Sequence, residues 1–511
     1  MSSLNGSDSR PRSFWLEASR QEHAQLDGDR SFDVAVLGGG LCGITTAYLL
    51  KRDGARVGLV EAGRVGGGAT GYTTAKITSL HGQIYTQLKS KFGEDGARTY
   101  GQANEAAIHR IERLVEGLGV ECDFRRKPNY TYTASHDQVD SLREEADTAR
   151  RLGLPATFAT EVDLPVPVAG AVRFDEQAEF HPIKYLAGLA GAIPGAGSEI
   201  FEHTPAVAVE EGSPVSVKTR HGTITAEQVV VATHFPFLDR AGFFARMHPE
   251  RSYVVAAPLQ SPPPGGMYIS ADSPTRSIRT TPHDGGELLL VGGEGHKVGQ
   301  EPDTEDRYAA LRRWMREHFD VGPVQWRWST QDPITDDHVP YIGRLHRGAK
   351  NVYVATGFAK WGIAHSTVAA MILSDTIAGR ENPWADLYDP ARVKPLASAK
   401  DFLKENINVA KRFVRDRLSH PDTARELDAI AHGQGAIVVV DGDKIAAYRD
   451  ENGELQLLSP ACKHMGCLVT WNAAERSWDC PCHGSRYAGD GTVLEGPTVD
   501  PLEPIEIEVR P

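Results

Sequence analysis

Six residues near one end of the 511-residue chain carry the clearest chemistry: Cys462, His464 and Cys467, then Cys480, Cys482 and His483. One residue separates Cys462 from His464, and two separate Cys480 from His483. Fifteen residues, 465 to 479, lie between the two pairs. Gly466, Pro481 and Gly484 allow two tight loops to close around a metal. Thiolate sulfur and imidazole nitrogen suit zinc or iron. A zinc ion on two Cys and two His uses the same donors as a 2Fe-2S cluster with one iron on Cys and the other on His.

A generic zinc site explains neither the second Cys pair nor the Gly484-Ser485-x-Tyr487 tail. Cys-x-His-x-x-Cys followed by Cys-x-Cys-His-Gly-Ser-x-Tyr resembles the Rieske family, in the form found in cytochrome bc complexes. The resemblance implies Cys462 and Cys480 on one iron, His464 and His483 on the other, and a disulfide between Cys467 and Cys482 that ties the loops together. It also implies that the Ser485 and Tyr487 hydroxyls hydrogen-bond cluster and cysteine sulfur, which stabilises the reduced cluster. Such a centre moves single electrons and makes no bonds. The rest of the chain must supply a substrate, a second cofactor, or both.

That second cofactor is legible near the other end. Asp33-Val-Ala-Val-Leu37 is an apolar run suited to a buried parallel strand. Gly38-x-Gly40-x-x-Gly43 follows, then a helix to Arg52 with Gly54 at its end, then a second strand from Arg56 to Val60 that delivers Glu61. The glycines admit a pyrophosphate at the helix N-terminus, and Glu61 can accept from ribose hydroxyls.

The following run, with Ala62, Arg64, Ala69, Thr70, Thr74 and Lys76, is too rich in glycine and threonine for the next helix and strand of a NAD domain. It resembles the FAD-binding loop of D-amino-acid-oxidase-like flavoproteins. Thr204-Pro-Ala-Val207 is similar to the strand that reads adenine, and Ala232-Thr233-His234 to the strand end beside the pyrophosphate, with histidine in place of the usual glycine. Gly357-Phe358-x-Lys360-Trp361-Gly362-Ile363 is similar to the motif whose helix N-terminus faces the flavin, where it favours the anionic reduced ring. Pro333 to Gly343 matches a further pattern near the flavin. The resemblance spans about residues 32 to 385 and implies FAD as cofactor.

The expected fold class is an α/β, Rossmann-like FAD domain of the D-amino-acid-oxidase type with an α+β substrate domain, plus a C-terminal all-β Rieske domain. The expected segments are a loose lead-in (1–31), the FAD-dependent oxidoreductase (32–395), a linker helix (396–430, its core at 398–419) and the 2Fe-2S domain (431–511). Met267–Ser270 and Glu287–Gly293 read as strands of an antiparallel cover sheet. Relatives that oxidise amino acids hold the substrate carboxylate with Arg or Tyr. Arg276, Arg279, Tyr253 and Lys297, with His283 and His296 nearby, are therefore the substrate-site candidates, each of which can equally be a solvated strand face. Trp326 and Trp328 read as packing.

A net charge of −13 leaves no case for a nucleic-acid partner. No apolar run is long enough for a transmembrane helix, and the first fifteen residues lack an apolar signal core, so a cytoplasmic location is expected. Cys42 and Cys122 read as small buried hydrophobes. A Rieske oxygenase is disfavoured because the His-x4-His pair of its mononuclear iron site is missing, and an NAD(P)H-fed reductase because no second dinucleotide motif follows a strand. The expected activity is oxidation of a C–N bond in an amine or amino acid, with electrons leaving singly through the cluster to a quinone or another one-electron carrier. Electron entry through the cluster, or a redox sensor without turnover, are the alternatives.

Overall fold

The computed structural model describes residues 11–238, 240–301, 304–392, 427–440 and 442–506. Around strand β1 (Arg30–Leu37) the chain builds its first sheet. Helix α1 (Leu41–Arg52) follows, and β2 (Val57–Val60) returns parallel to β1. On the other side of β1 lies β3 (Thr223–Val231), also parallel. The first half of β3 pairs with Val215–Thr219 and its second half with Val352–Thr356. Val34 to Leu37 are all buried, as expected for a strand covered on both faces.

A second, eight-stranded sheet covers the cleft at the carboxyl ends of these strands. Its long strands are β4 (Met247–Pro258), β5 (Gly286–Lys297) and β6 (Trp326–Thr335), with β4 antiparallel to both neighbours. The two strands expected at 267–270 and 287–293 lie within it. Trp326 and Trp328 are buried and tied by their indole N–H groups to Glu17 and to the Tyr72 carbonyl, so they pack as expected. Helix α2 (Gly362–Ile377) packs on α1 and closes the first sheet.

The expected loose lead-in is not loose over residues 11 to 31. A short 3-10 turn, Phe14–Glu17, buries Phe14 and leaves Trp15 with no exposed surface. Both rings pack edge-on: Phe14 against Trp326 and His283, and Trp15 against His181. Two large aromatics outweigh the turn-rich composition around them. The expected linker helix at 398–419 lies outside the described residues. Description resumes at Leu427, and Ile430 is already in the core of the last domain with Val438 and Ile445.

That domain is a pair of small antiparallel sheets, of three and four strands. In the second, Thr470–Asn472 and Ser477–Asp479 lead to β7 (Arg486–Ala488) and β8 (Val493–Glu495). The domain is docked on the flavin-type domain. Fully buried Arg251 of β4 faces Asp479 at 3.5 Å, Tyr308 donates to Glu475 at 2.8 Å, and the Gln331 amide of β6 donates to the Gly484 carbonyl at 2.6 Å. The approach is close: a Cβ on Gly484 would lie 2.8 Å from Pro249. Among the described residues, no helix is long and apolar enough to cross a membrane.

Candidate functional site

Two loops, 462–467 and 480–485, bring the six sulfur and imidazole residues together. Cys467 and Cys482 form the disulfide, while Cys462 and Cys480 are free and buried. The sulfurs of Cys467, Cys480 and Cys482 lie within 4.8 Å of one another, but two of them are spent in the disulfide and are not thiolate donors. The Cys480 thiol, then the Tyr487 hydroxyl and the His464 amide, pull the Cys462 thiol down to about 6 against its own burial. The rings of His464 and His483 sit edge-to-face at 4.9 Å, and both Nδ1 atoms are buried without a partner. Burial, followed for His483 by the neighbouring His464, lowers both imidazoles, so they are neutral and able to donate to a metal. Two free thiols and two orphaned ring nitrogens fit a 2Fe-2S cluster. The Tyr487 hydroxyl is 3.2 Å from Cys462 Sγ, and Ser485 Oγ accepts from the Thr498 amide at 3.3 Å.

The two histidines differ in setting. His483 is buried, with Phe244 edge-on to its ring at 5.7 Å. His464 is half-buried, and the next residue, Met465, is 45% exposed.

A cavity of about 990 Å³ runs between the first sheet and the cover sheet. At one end are Gly38, Gly40, Glu61, Ala62, Ala69 and Thr70. Gly38 sits at φ +111°, and a Cβ there would strike the Ala232 carbonyl at 2.4 Å; a Cβ on Gly43 would lie 1.9 Å from the Gly38 carbonyl. Only glycine permits this turn into α1. Glu61 is held by the amides of Gly39 (2.6 Å) and Gly63 (2.8 Å). Burial raises its pKa, and those amides oppose the shift. The other end is lined by Thr74 and Lys76, by β4 and β5, and by Phe358, Lys360, Trp361, Gly362 and Ile363 at the start of α2. An elongated dinucleotide with an aromatic head fits this shape.

Not every expected residue faces the cavity. Ala232 and Thr233 line it. Gly43 lies behind the wall as a packing contact, and Gly357 serves the turn into α2. Arg64 turns outward to Glu22 at 3.0 Å, and beside Val207 it is Pro205 and Ala206 that line the space.

Of the substrate-site candidates, Tyr253 alone lines the cavity, its hydroxyl 2.9 Å from His296 Nε2. Arg276 is held by Glu294 at 2.6 Å. Arg279 is buried beneath the loop, donating to the carbonyls of Thr74 and Ala75. Lys297 and His283 are not in the wall. Long-range pairing on the sheet decides all four positions, and strand periodicity alone does not reveal it.

The wall also holds residues that sequence reasoning missed. Glu250, Glu294, Arg307, Thr330 and Asp332 line the substrate-domain end, and Asp332 is the first residue of the Asp-Pro step next to the recognised 333–343 pattern. More unexpectedly, residues 492–496, 498, 499 and 501 of the last domain form part of the same wall. Arg220 clasps this segment through the Val499 carbonyl at 2.8 Å. The segment carries no motif, so only docking of the two domains exposes its role.

The fold and the paired sites define a flavin oxidoreductase joined to an iron–sulfur domain. Residues 33–376 match the FAD dependent oxidoreductase family, and residues 423–506 match the Rieske [2Fe-2S] domain. The chain is 37% identical over 502 residues to the putative Rieske 2Fe-2S iron-sulfur protein YhfW of Bacillus subtilis, covering 98% of both. It is 24% identical over 388 residues to gamma-glutamylputrescine oxidoreductase of Escherichia coli, covering 72% of this chain and 89% of that one. Glycine oxidase from Geobacillus kaustophilus has the same fold over 71% of this chain and 99% of its own, with a TM-score of 0.61 at 22% identity. The chain therefore belongs to the D-amino-acid-oxidase-like FAD-dependent oxidoreductases and carries a C-terminal Rieske domain; its cofactors are FAD and a 2Fe-2S cluster.

Proposed function

We propose that the protein oxidises a C–N bond of an amine or amino acid and passes the electrons one at a time through the Rieske cluster to an external carrier. The observation that carries this reading is the bridge made by β6. Strand alternation turns Thr330 and Asp332 into the cavity and sends Gln331 between them to the Gly484 carbonyl, one residue from His483. FAD, when bound, accepts two electrons with a hydride from a C–H next to nitrogen and can release them singly.

In this reading Cys462, Cys480, His464 and His483 hold the cluster. Gly38, Gly40 and Glu61 would hold the dinucleotide, and the positive helix end at the start of α2, which lines the cavity, would favour a reduced, anionic flavin. The cover sheet and the segment from Thr492 to Pro501 keep bulk water from the reacting end. His483 is the inner port, being buried against the flavin domain, and half-exposed His464 beside Met465 is the outer one. The Escherichia coli relative's name, gamma-glutamylputrescine oxidoreductase, supports the substrate class.

Anaerobic mixing of the full-length holoprotein with candidate amines tests the proposal. Flavin bleaching followed by the reduced-cluster EPR signal within the turnover time is expected. Flavin that bleaches while the cluster stays oxidised through many turnovers rejects the electron outlet.

A further inference from the structure

Among the described residues, charges at the substrate-domain end of the cavity are paired, with one exception. Lys360 is on Glu250 at 2.9 Å, and Glu250 also faces His248 at 3.5 Å. Arg307 is on Glu294 at 3.3 Å and on Glu301. Lys76 donates to the Tyr268 carbonyl and to Ser277 Oγ. Arg276 is spent on Glu294. Among the described residues, no arginine at this end is left to receive a substrate carboxylate.

Asp332 is the exception. It lies opposite Glu250 in the β4–β6 ladder, in the cavity wall, and among the described residues its carboxyl has no hydrogen-bond or ion-pair partner. Burial raises its pKa; His234 and Lys360 oppose the rise, and Glu495 and Glu250 add to it. A carboxylate in such surroundings costs free energy until a cation meets it. The carbonyl of Pro333, the next residue, accepts from the Ala359 amide at 3.2 Å, which sets Asp332 beside Lys360 and the start of α2, where a flavin head would belong.

We propose that Asp332 is the substrate anchor and that the ligand it takes is a cationic amine, an alkylammonium or polyamine, rather than an amino-acid carboxylate. This rests on the amine-oxidising reading above and narrows it. The argument is one of charge matching. An entering ammonium completes the one unpaired carboxylate, whereas an entering carboxylate would meet Asp332 with every nearby arginine already occupied.

The test uses two probes of the same shape and opposite charge, tert-butylammonium and pivalate. The cation has no C–H on the carbon next to nitrogen and cannot be oxidised there. Each is titrated into the oxidised full-length holoprotein, and the flavin absorbance is followed. Saturable perturbation by tert-butylammonium and none by pivalate is expected. Asp332→Asn should weaken the cation at least ~10-fold, the usual scale for one charge-assisted contact, and Asp332→Glu should restore much of it. Pivalate binding as tightly as the cation, absence of binding by either, or a cation affinity unchanged in Asp332→Asn overturns the proposal. If Asp332→Asn loses FAD, the cation–anion contrast in the native protein still decides. Because neither probe turns over, the outcomes separate two failures. Asp332-dependent cation binding in a protein that no amine can reduce would sink the oxidation reading and leave the anchor standing.

Discussion

The Tyr487 hydroxyl is placed to tune the cluster, and Tyr487→Phe removes that hydroxyl with little else. It accepts from the Lys463 amide at 3.1 Å, which leaves its own hydrogen for Cys462 Sγ at 3.2 Å. Burial first, then the Cys462 charge, raises the phenol above its ordinary value, so it stays a donor at any working pH. The ring is fully buried beside Trp478, and a Phe ring fills the same space. A hydrogen bond to a charged acceptor contributes about 1.5–3 kcal/mol against about 0.5–1.5 for a neutral pair. Reduction adds one negative charge to the cluster, so about 1 kcal/mol of that bond differs between the two states. For a one-electron couple 1.4 kcal/mol corresponds to about 59 mV, which gives a midpoint lower by ~40 mV in the variant. An EPR-monitored redox titration, with iron and FAD content checked alongside, reads the shift. A midpoint that stays put or rises, in a variant with an intact two-His EPR signature, refutes the reasoning.

Iron removal should also release FAD, because the segment from Thr492 to Pro501 hangs on Ser485 through the Thr498 amide and walls the FAD cavity; FAD that remains fully bound to iron-free protein, by fluorescence of the filtrate, contradicts this. Arg251→Met should destabilise the docked protein by ~2 kcal/mol, less than the ~3–5 of a wholly uncompensated buried charge, since Arg486 still faces Asp479 at 3.2 Å. Chemical denaturation followed by both flavin and cluster absorbance checks it, and superimposable curves for variant and native protein count against it. Lys76 is pushed down to about 7, by burial first and then by Arg279. The unfolded chain holds this proton more tightly than the folded one, so stability rises with pH from about 7 until the ordinary lysine value near 10.4 is reached. Denaturation between pH 7 and 10 should show a smaller rise in Lys76→Met, and equal slopes would rule the effect out.

The sequence by itself determined both cofactor types. Cysteine and histidine at fixed short spacings must form compact donor loops whatever surrounds them, and glycines between a strand and a helix must make a phosphate turn. Those are local constraints, set within about twenty residues, so Cys462, His464, Cys480, His483, Gly38, Gly40 and Glu61 were legible as candidates. The buried role of Phe14 and Trp15 was not, because their partners Trp326 and His181 are far away in sequence. For the same reason the strand arginines misled: Arg276 and Arg279 sit on the right sheet, but Glu294 and the Thr74–Ala75 carbonyls claim them. Only the tertiary structure decided that Asp332 has no partner among the described residues, that Gln331 reaches Gly484, and that residues of the Rieske domain wall the large cavity. Each depends on which surfaces meet when two domains dock, and docking joins residues more than a hundred positions apart by packing and charge, which leave no periodic trace along the chain.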